Sequence, residues 1–223
     1  MGKIAFTKDE AILALDALLF SGEEHFSCSS KAVLELSQLL NELPIHSLSK
    51  RAANFRNPVG ISDQISGFRH SLKDTNNRIK VGSVFFQAYE EHQDCLTEIH
   101  SIAMAIRRNK DFFKEHLFGD KLEQSSFPEG ALLNHLHILL EKRDSKLIEP
   151  GQVCSICCLN LSEVYKDIPG NFMQQHLTVP VTELDSRKKY KPDDFITVCP
   201  NCHAVIHQIR PWISKENVGE ILK

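Results

Sequence analysis

Apolar positions recur at helical spacing through most of the first two thirds of the chain. The first run is the best marked. Thr7-Lys8-Asp9-Glu10 has the spacing of a capping box, in which a threonine hydroxyl and a glutamate three residues on satisfy each other's backbone N–H groups, and Phe6 precedes it as a hydrophobic staple. Ile12, Leu13, Leu15 and Leu18 to Phe20 follow, so a helix is predicted over residues 7–20. Ser29 or Ser30 caps a second helix through Val33, Leu36, Leu39 and Leu40, closed by Pro44 beyond Leu43. Asn57-Pro58-Val59-Gly60 punctuates the backbone before a short helix at 61–68. A long pattern at 84–108, through Phe85, Tyr89, Leu96, Ile99 and Ile106, is expected to form one helix and the spine of this half. A further helix starts at Pro128 and carries Leu132, Leu133, Leu136, Leu139 and Leu140 to Lys142 and Arg143.

The helical pattern gives out beyond this point. Lys146 to Gln152, with Pro150 and Gly151, reads as the joint to a different module, in which the stretch bounded by Gly170-Asn171-Phe172 is expected to form a β-hairpin. The fold class expected is a mainly α N-terminal domain plus a small α+β C-terminal module, divided into 1–110, a helical linker 111–150, and 151–223.

The composition fits that division, because 223 residues with 42% hydrophobic content can bury one large core or two small ones. A formal charge of −3 gives no general reason to expect nucleic acid or an anionic membrane as partner. Residues 50–80 depart from that balance. Lys50, Arg51, Arg56, Arg69, Lys73, Arg78 and Lys80 face only Asp63 and Asp74, a local charge of +5. Basic side chains on a helix–turn–helix-like unit suit DNA phosphates, and a solvated basic face without a partner is the alternative. The longest apolar stretch, Ala11 to Phe20, is broken by Asp16 and too short to span a bilayer, and Met1-Gly2-Lys3 begins no signal peptide, so no membrane partner and an intracellular setting are expected.

Four of the seven cysteines form two Cys-x-x-Cys pairs, Cys154/Cys157 and Cys199/Cys202. Two such knuckles supply the four thiolates that tetrahedral zinc prefers, whereas Cys28 and Cys95 are expected to be ordinary buried thiols and Cys158 is the odd one out. His203 and His207, four residues apart, share one face of any helix that follows the second knuckle, and His176 is placed to bring a third imidazole toward them. His135 and His137, two residues apart, fall on different faces of their helix. Trp212, after Arg210-Pro211, is expected to pack against the module.

Cys154-Ser-Ile-Cys157, Gly170-Asn-Phe172, His176-Leu-Thr-Val-Pro180 and Asp193-Asp-Phe-Ile-Thr-Val-Cys199-Pro-Asn-Cys-His203-Ala-Val-Ile-His207 together resemble an HNH endonuclease of the zinc-knuckle, restriction-enzyme type. The resemblance implies a ββα-metal fold with structural Zn²⁺ on the four cysteines and one catalytic Mg²⁺, Mn²⁺ or Ni²⁺ on His176, His203 and His207. It also implies that Asp194 stands where a residue orients the catalytic histidine. Leu177 stands where the family has that histidine, the general base. Phe172 and Pro180, each four residues from His176, hold this registration from both sides. Leucine accepts no proton, and loss of a general base costs ~10²–10⁴ in rate, so the chain is expected to bind metal and DNA yet cut poorly, as a nuclease inactivated at this position or a natural non-cleaving relative.

The start Phe6-Thr7-Lys8-Asp9-Glu10 and the segment Phe55-Arg56-Asn57-Pro58-x-Gly60 are similar to the leader on some bacterial restriction-type HNH proteins. What this resemblance implies is a cytoplasmic, site- or modification-specific endonuclease acting on double-stranded DNA in defence against foreign DNA. One active site per chain would make a homodimer, or two successive nicks, necessary for a double-strand break. The alternatives are a non-cleaving DNA- or partner-binding pseudonuclease on a zinc-stapled scaffold, and an HNH-like zinc ribbon with no ion at the histidines.

Overall fold

The computed structural model describes residues 4–73, 83–117, 127–166, 172–210, 212–213 and 215–222. Arg78, Lys80, Gly170 and Asn171, and the side chain of Lys73, lie outside them. The protein is mainly helical with a small two-stranded antiparallel sheet, and it divides into two compact units, Met1–Asn134 and His135–Lys223. The division falls within the 111–150 stretch read from sequence as a linker. No helix among the described residues is long and apolar enough to cross a membrane.

In the first unit α1 (Lys8–Phe20) opens with the capping box: Glu10 N–H donates to Thr7 Oγ1 at 3.3 Å, and Thr7 N–H donates to Glu10 Oε2 at 2.8 Å. Phe6 lies against Phe85, ring centroids 5.2 Å apart. α2 (Lys31–Glu42), α3 (Pro58–Lys73), α4 (Ser83–Glu91) and α5 (Leu96–Arg108) all pack on α1. Residues Lys8 through Ala17 are consequently buried on every side, charged ones included. The spine of this unit is therefore α1 rather than the 84–108 stretch. That stretch is two helices, because the chain turns at His92, whose buried ring bonds Glu98 and the Pro128 carbonyl. α3 is longer than the predicted 61–68. Asn57 Oδ1 accepts Gly60 N–H at 3.0 Å and Pro58 takes the first helical position, so Asn57-Pro58 starts the helix instead of merely preceding it.

α6 (Lys110–His116) follows, and α7 (Gly130–Asp144) begins in the first unit. Its first turn is capped by α1: Asp9 accepts Ala131 N–H at 3.0 Å and Leu132 N–H at 2.9 Å. Burial pushes the Asp9 carboxyl up to about 6, against the pull of those two amides.

The second unit holds the remainder of α7, the short α8 (Leu161–Val164), β1 (Gln174–Leu177), β2 (Phe195–Val198) and α9 (Pro200–Ile206). The strands pair antiparallel, with His176 opposite Ile196 and Leu177 opposite Phe195. The strand partner thus lies beyond a connection at 178–194 that contains two 3₁₀ turns, not within a tight hairpin in the 170s. α9 starts cleanly at Cys199, with Pro200 at the first position. Ile156, Met173, Ile196, Val198, Ile206 and Val218 close a small core around Cys154 and Cys199.

Candidate metal centres

Two clusters of ligating side chains stand in the second unit, and each is assembled from both ends of its chain segment. Cys154 and Cys157 come from a turn in which Cys158 N–H bonds the Cys154 carbonyl at 3.0 Å and Cys154 N–H bonds the Leu159 carbonyl at 3.0 Å. Ser155 N–H ties the turn to β2 through the Thr197 carbonyl at 2.8 Å. Cys199 and Cys202 come from the end of β2 and the first turn of α9. The four thiol sulfurs lie within 4.8 Å of one another, so this cluster could hold a metal such as zinc. Tetrahedral zinc with ~2.3 Å bonds to sulfur needs edges of about 3.8 Å, and Cys157 Sγ and Cys199 Sγ are 3.8 Å apart. Burial opposes ionisation of Cys154, but the amides of Cys157, Cys199 and Ile156 hold its thiol down at about 7. Burial and the neighbouring thiols push Cys202 up. One thiol of the four is primed to ionise, and a cation is what would let its neighbours follow.

Cys158 takes no part, and its backbone explains why. It adopts φ 58° and faces solvent, in the left-handed position that turns the knuckle back on itself.

The second cluster is Glu141, His176, His203 and His207, again with one ligating atom from each within 4.8 Å of the others. β1 alternation puts Gln174 and His176 on one face, and α9 presents His203 and His207 one turn apart. Glu141 reaches in from α7. Its Oε1 lies 3.0 Å from His203 Nε2 and 3.5 Å from His207 Nε2, and its Oε2 lies 3.0 Å from His176 Nδ1. His203 Nε2 and His207 Nε2 are 3.0 Å apart. Burial opposes its charge, yet the imidazoles of His176, His203 and His207 hold the Glu141 carboxyl far below the usual carboxylate range. Burial lowers His176, which is 1% exposed.

Hydrogen bonding around the cluster fixes which atoms face inward. His203 Nδ1 donates to the Gln174 side-chain oxygen, which turns His203 Nε2 toward Glu141 Oε1 at 3.0 Å. His176 Nδ1 is buried beside the same carboxylate. Convergent imidazole nitrogens and a carboxylate are the donor set that divalent zinc and similar ions take.

His137, one turn before Glu141 on α7, lies against the cluster. Its ring centroid is 5.2 Å from that of His176, its Nε2 donates to the Leu177 carbonyl at 2.7 Å, and burial pushes it down to about 3, so it stays neutral. Trp212 packs on His137, ring centroids 4.7 Å apart, with the Arg210 guanidinium over the Trp212 ring at 4.1 Å from its centre.

Several residues read from sequence as functional are engaged differently. Leu177 has no exposed surface; its N–H donates to Glu141 Oε2 at 3.1 Å and its carbonyl accepts from His137. Asp194 does not orient an imidazole among the described residues: its carboxylate accepts Lys191 N–H at 2.8 Å and its carbonyl accepts Thr178 N–H at 2.9 Å. Arg56, read from sequence as a DNA contact, is turned into the first unit. It is 7% exposed, paired with Glu10 at 2.6 Å, and bonded to the Ile4 and Ala5 carbonyls. Arg51 is likewise turned inward, onto the carbonyls of Asn41, Leu43 and His46, and Arg69 bonds the Glu24 carbonyl. Lys50 is exposed. Three of the seven basic residues at 50–80 thus bond carbonyls or a carboxylate of the first unit. Glu141 is the site residue that sequence reasoning missed; the signal was its i,i+4 pairing with His137 on an otherwise leucine-rich helix.

No family model matches the chain, and neither the curated proteins nor the solved structures give a match.

Proposed function

We propose that this chain is a non-cleaving relative of HNH endonucleases, in which the ββα-metal module serves as a metal-stapled scaffold and the protein acts by binding. Zinc on Cys154, Cys157, Cys199 and Cys202 would brace the module, and His176, His203 and His207 would hold a divalent ion. In a nuclease that ion stabilises charge on the scissile phosphate. The observation that carries the non-cleaving reading is Leu177. It occupies the base position, its side chain is fully buried, and both its backbone groups are taken by α7. The nearest additional imidazole, His137, is buried with its Nε2–H committed to a carbonyl, so it too presents no base to a water on DNA.

Arg56, one of the basic residues of 50–80, is paired with Glu10, which weakens the support for a DNA-reading face there. The test is a cleavage assay on methylated and unmethylated plasmid with Mg²⁺, Mn²⁺ or Ni²⁺, using the chain and its Leu177→His variant side by side. Neither is expected to cut. Cleavage by the wild-type chain, or restored by Leu177→His alone, would return the protein to the restriction endonucleases.

A further inference from the structure

We infer that Glu141 is a fourth metal ligand, one that closes the histidine site into a tetrahedral, zinc-type centre with no position left for water or a phosphate oxygen. This deepens the reading above and rests on it, since it takes the three histidines as ligands. Four features of the second unit support the assignment.

The first is distance. Four ligands at ~2.0–2.1 Å from one zinc ion stand about 3.3–3.4 Å apart; Glu141 Oε1 lies 3.0 and 3.5 Å from His203 Nε2 and His207 Nε2, and one ligating atom from each of the four residues lies within 4.8 Å of the others. The second is orientation. Leu177 N–H donates to Glu141 Oε2, and Gln174 accepts from His203 Nδ1, so a carboxylate ligand and an imidazole ligand are each aimed by an outer partner, as metal ligands commonly are. The third is burial, since Glu141 is 5% exposed. Among the described residues no arginine or lysine bonds this carboxylate; a buried carboxylate needs positive charge, and a metal ion supplies it.

The fourth is coordination logic. A catalytic divalent site keeps at least one position open, whereas structural zinc sites have all four filled by protein. Three histidines alone would leave one of four positions unfilled. Glu141 is the fourth donor of the cluster. The donor set of three nitrogens and one oxygen also favours zinc over magnesium, which takes oxygen ligands and keeps its waters.

The experiment uses the full chain, stripped by chelator and reloaded. Two zinc ions per chain are expected by elemental analysis. With zinc kept in the cysteine site and Co²⁺ loaded at the second, the wild-type chain should show the intense visible absorption of four-coordinate cobalt. Glu141→Gln should weaken Zn²⁺ binding at the second site by roughly 100-fold or more and replace that absorption with the faint bands of a water-bound, higher-coordinate ion. Glu141→Ala should do the same and then shift its spectrum on adding acetate, which can enter an opened site. Retention of the cysteine-site zinc reports that each variant is folded.

If both variants keep the wild-type affinity and spectrum, Glu141 is not a ligand and this inference falls while the three-histidine reading stands. If the wild-type chain takes up only the cysteine-site zinc, the histidine reading falls too.

Discussion

The Glu141 carboxylate and the Leu177 backbone N–H are 3.1 Å apart, and one helical turn earlier His137 holds the carbonyl of the same leucine at 2.7 Å. α7 therefore grips the last residue of β1 from both sides of its backbone. That grip aims one oxygen of Glu141 and leaves the other to the imidazoles of α9.

Loss of the cysteine centre should unfold the second unit. Cys199 is buried at the meeting of β2 and α9, and its sulfur also accepts Cys202 N–H. Cys199→Ser is expected to remove one zinc ion per chain and to abolish the cooperative melting of residues 135–223, read by amide exchange across β1, β2 and α9, while the first unit keeps its protection.

Arg56 is expected to matter for stability and not for DNA. Glu10 is fully buried, and among the described residues its guanidinium partner is Arg56, with His46 alongside. Arg56→Met strands a buried carboxylate and should cost about 3–5 kcal/mol in urea unfolding, with DNA affinity and its salt slope unmoved. Burial raises Glu10, but His46 and Arg56 outweigh it and hold its folded pKa below 4.5. The stabilisation from that pair is thus present above the unfolded value and lost as pH falls through the folded one. The Arg56→Met penalty should shrink on acidification; a penalty that grows instead would contradict the pairing.

Its neighbour Asp9 should titrate with the opposite sign. Burial raises its folded pKa from 3.8 to about 6, so the folded state favours the protonated form. Stability is therefore lost as pH rises through this window, by up to about 3 kcal/mol. Asp9→Asn keeps an acceptor for the start of α7 and removes the charge. The variant should gain on the wild type between pH 4 and pH 7, checked by denaturant melts across that range, and a constant difference would refute the shift.

Cys158 is expected to be improvable. At φ 58° it occupies backbone space that glycine adopts without strain. Cys158→Gly should raise the stability of the second unit by up to about 1 kcal/mol and leave zinc content unchanged; a lost zinc ion would make Cys158 a ligand after all.

What the sequence made legible was local. The capping box at Thr7 and Glu10 lies within one turn, and each Cys-x-x-Cys pair sets its two sulfurs by the geometry of one knuckle, so both could be read without knowing the fold. The break at His92 could not, because it depends on a buried ring finding Glu98 and the Pro128 carbonyl. Charge counting misplaced Arg56 for a related reason. It records that arginines cluster, not that a buried glutamate from α1 has turned one inward. Glu141 escaped because its partners are distant in sequence, and His137 was weighed against His135 instead of against the residue one turn on.

Both candidate centres join residues far apart along the chain: Cys157 and Cys199 are separated by 42 positions, Glu141 and His203 by 62. Such ligand sets have no counterpart in an unfolded chain, so the free energy of any ion bound there would also be folding free energy for residues 135–223. The amount of intact protein would then follow zinc supply. In a cell short of zinc, newly made copies would stay partly unfolded and be cleared, and abundance would fall before any partner was met.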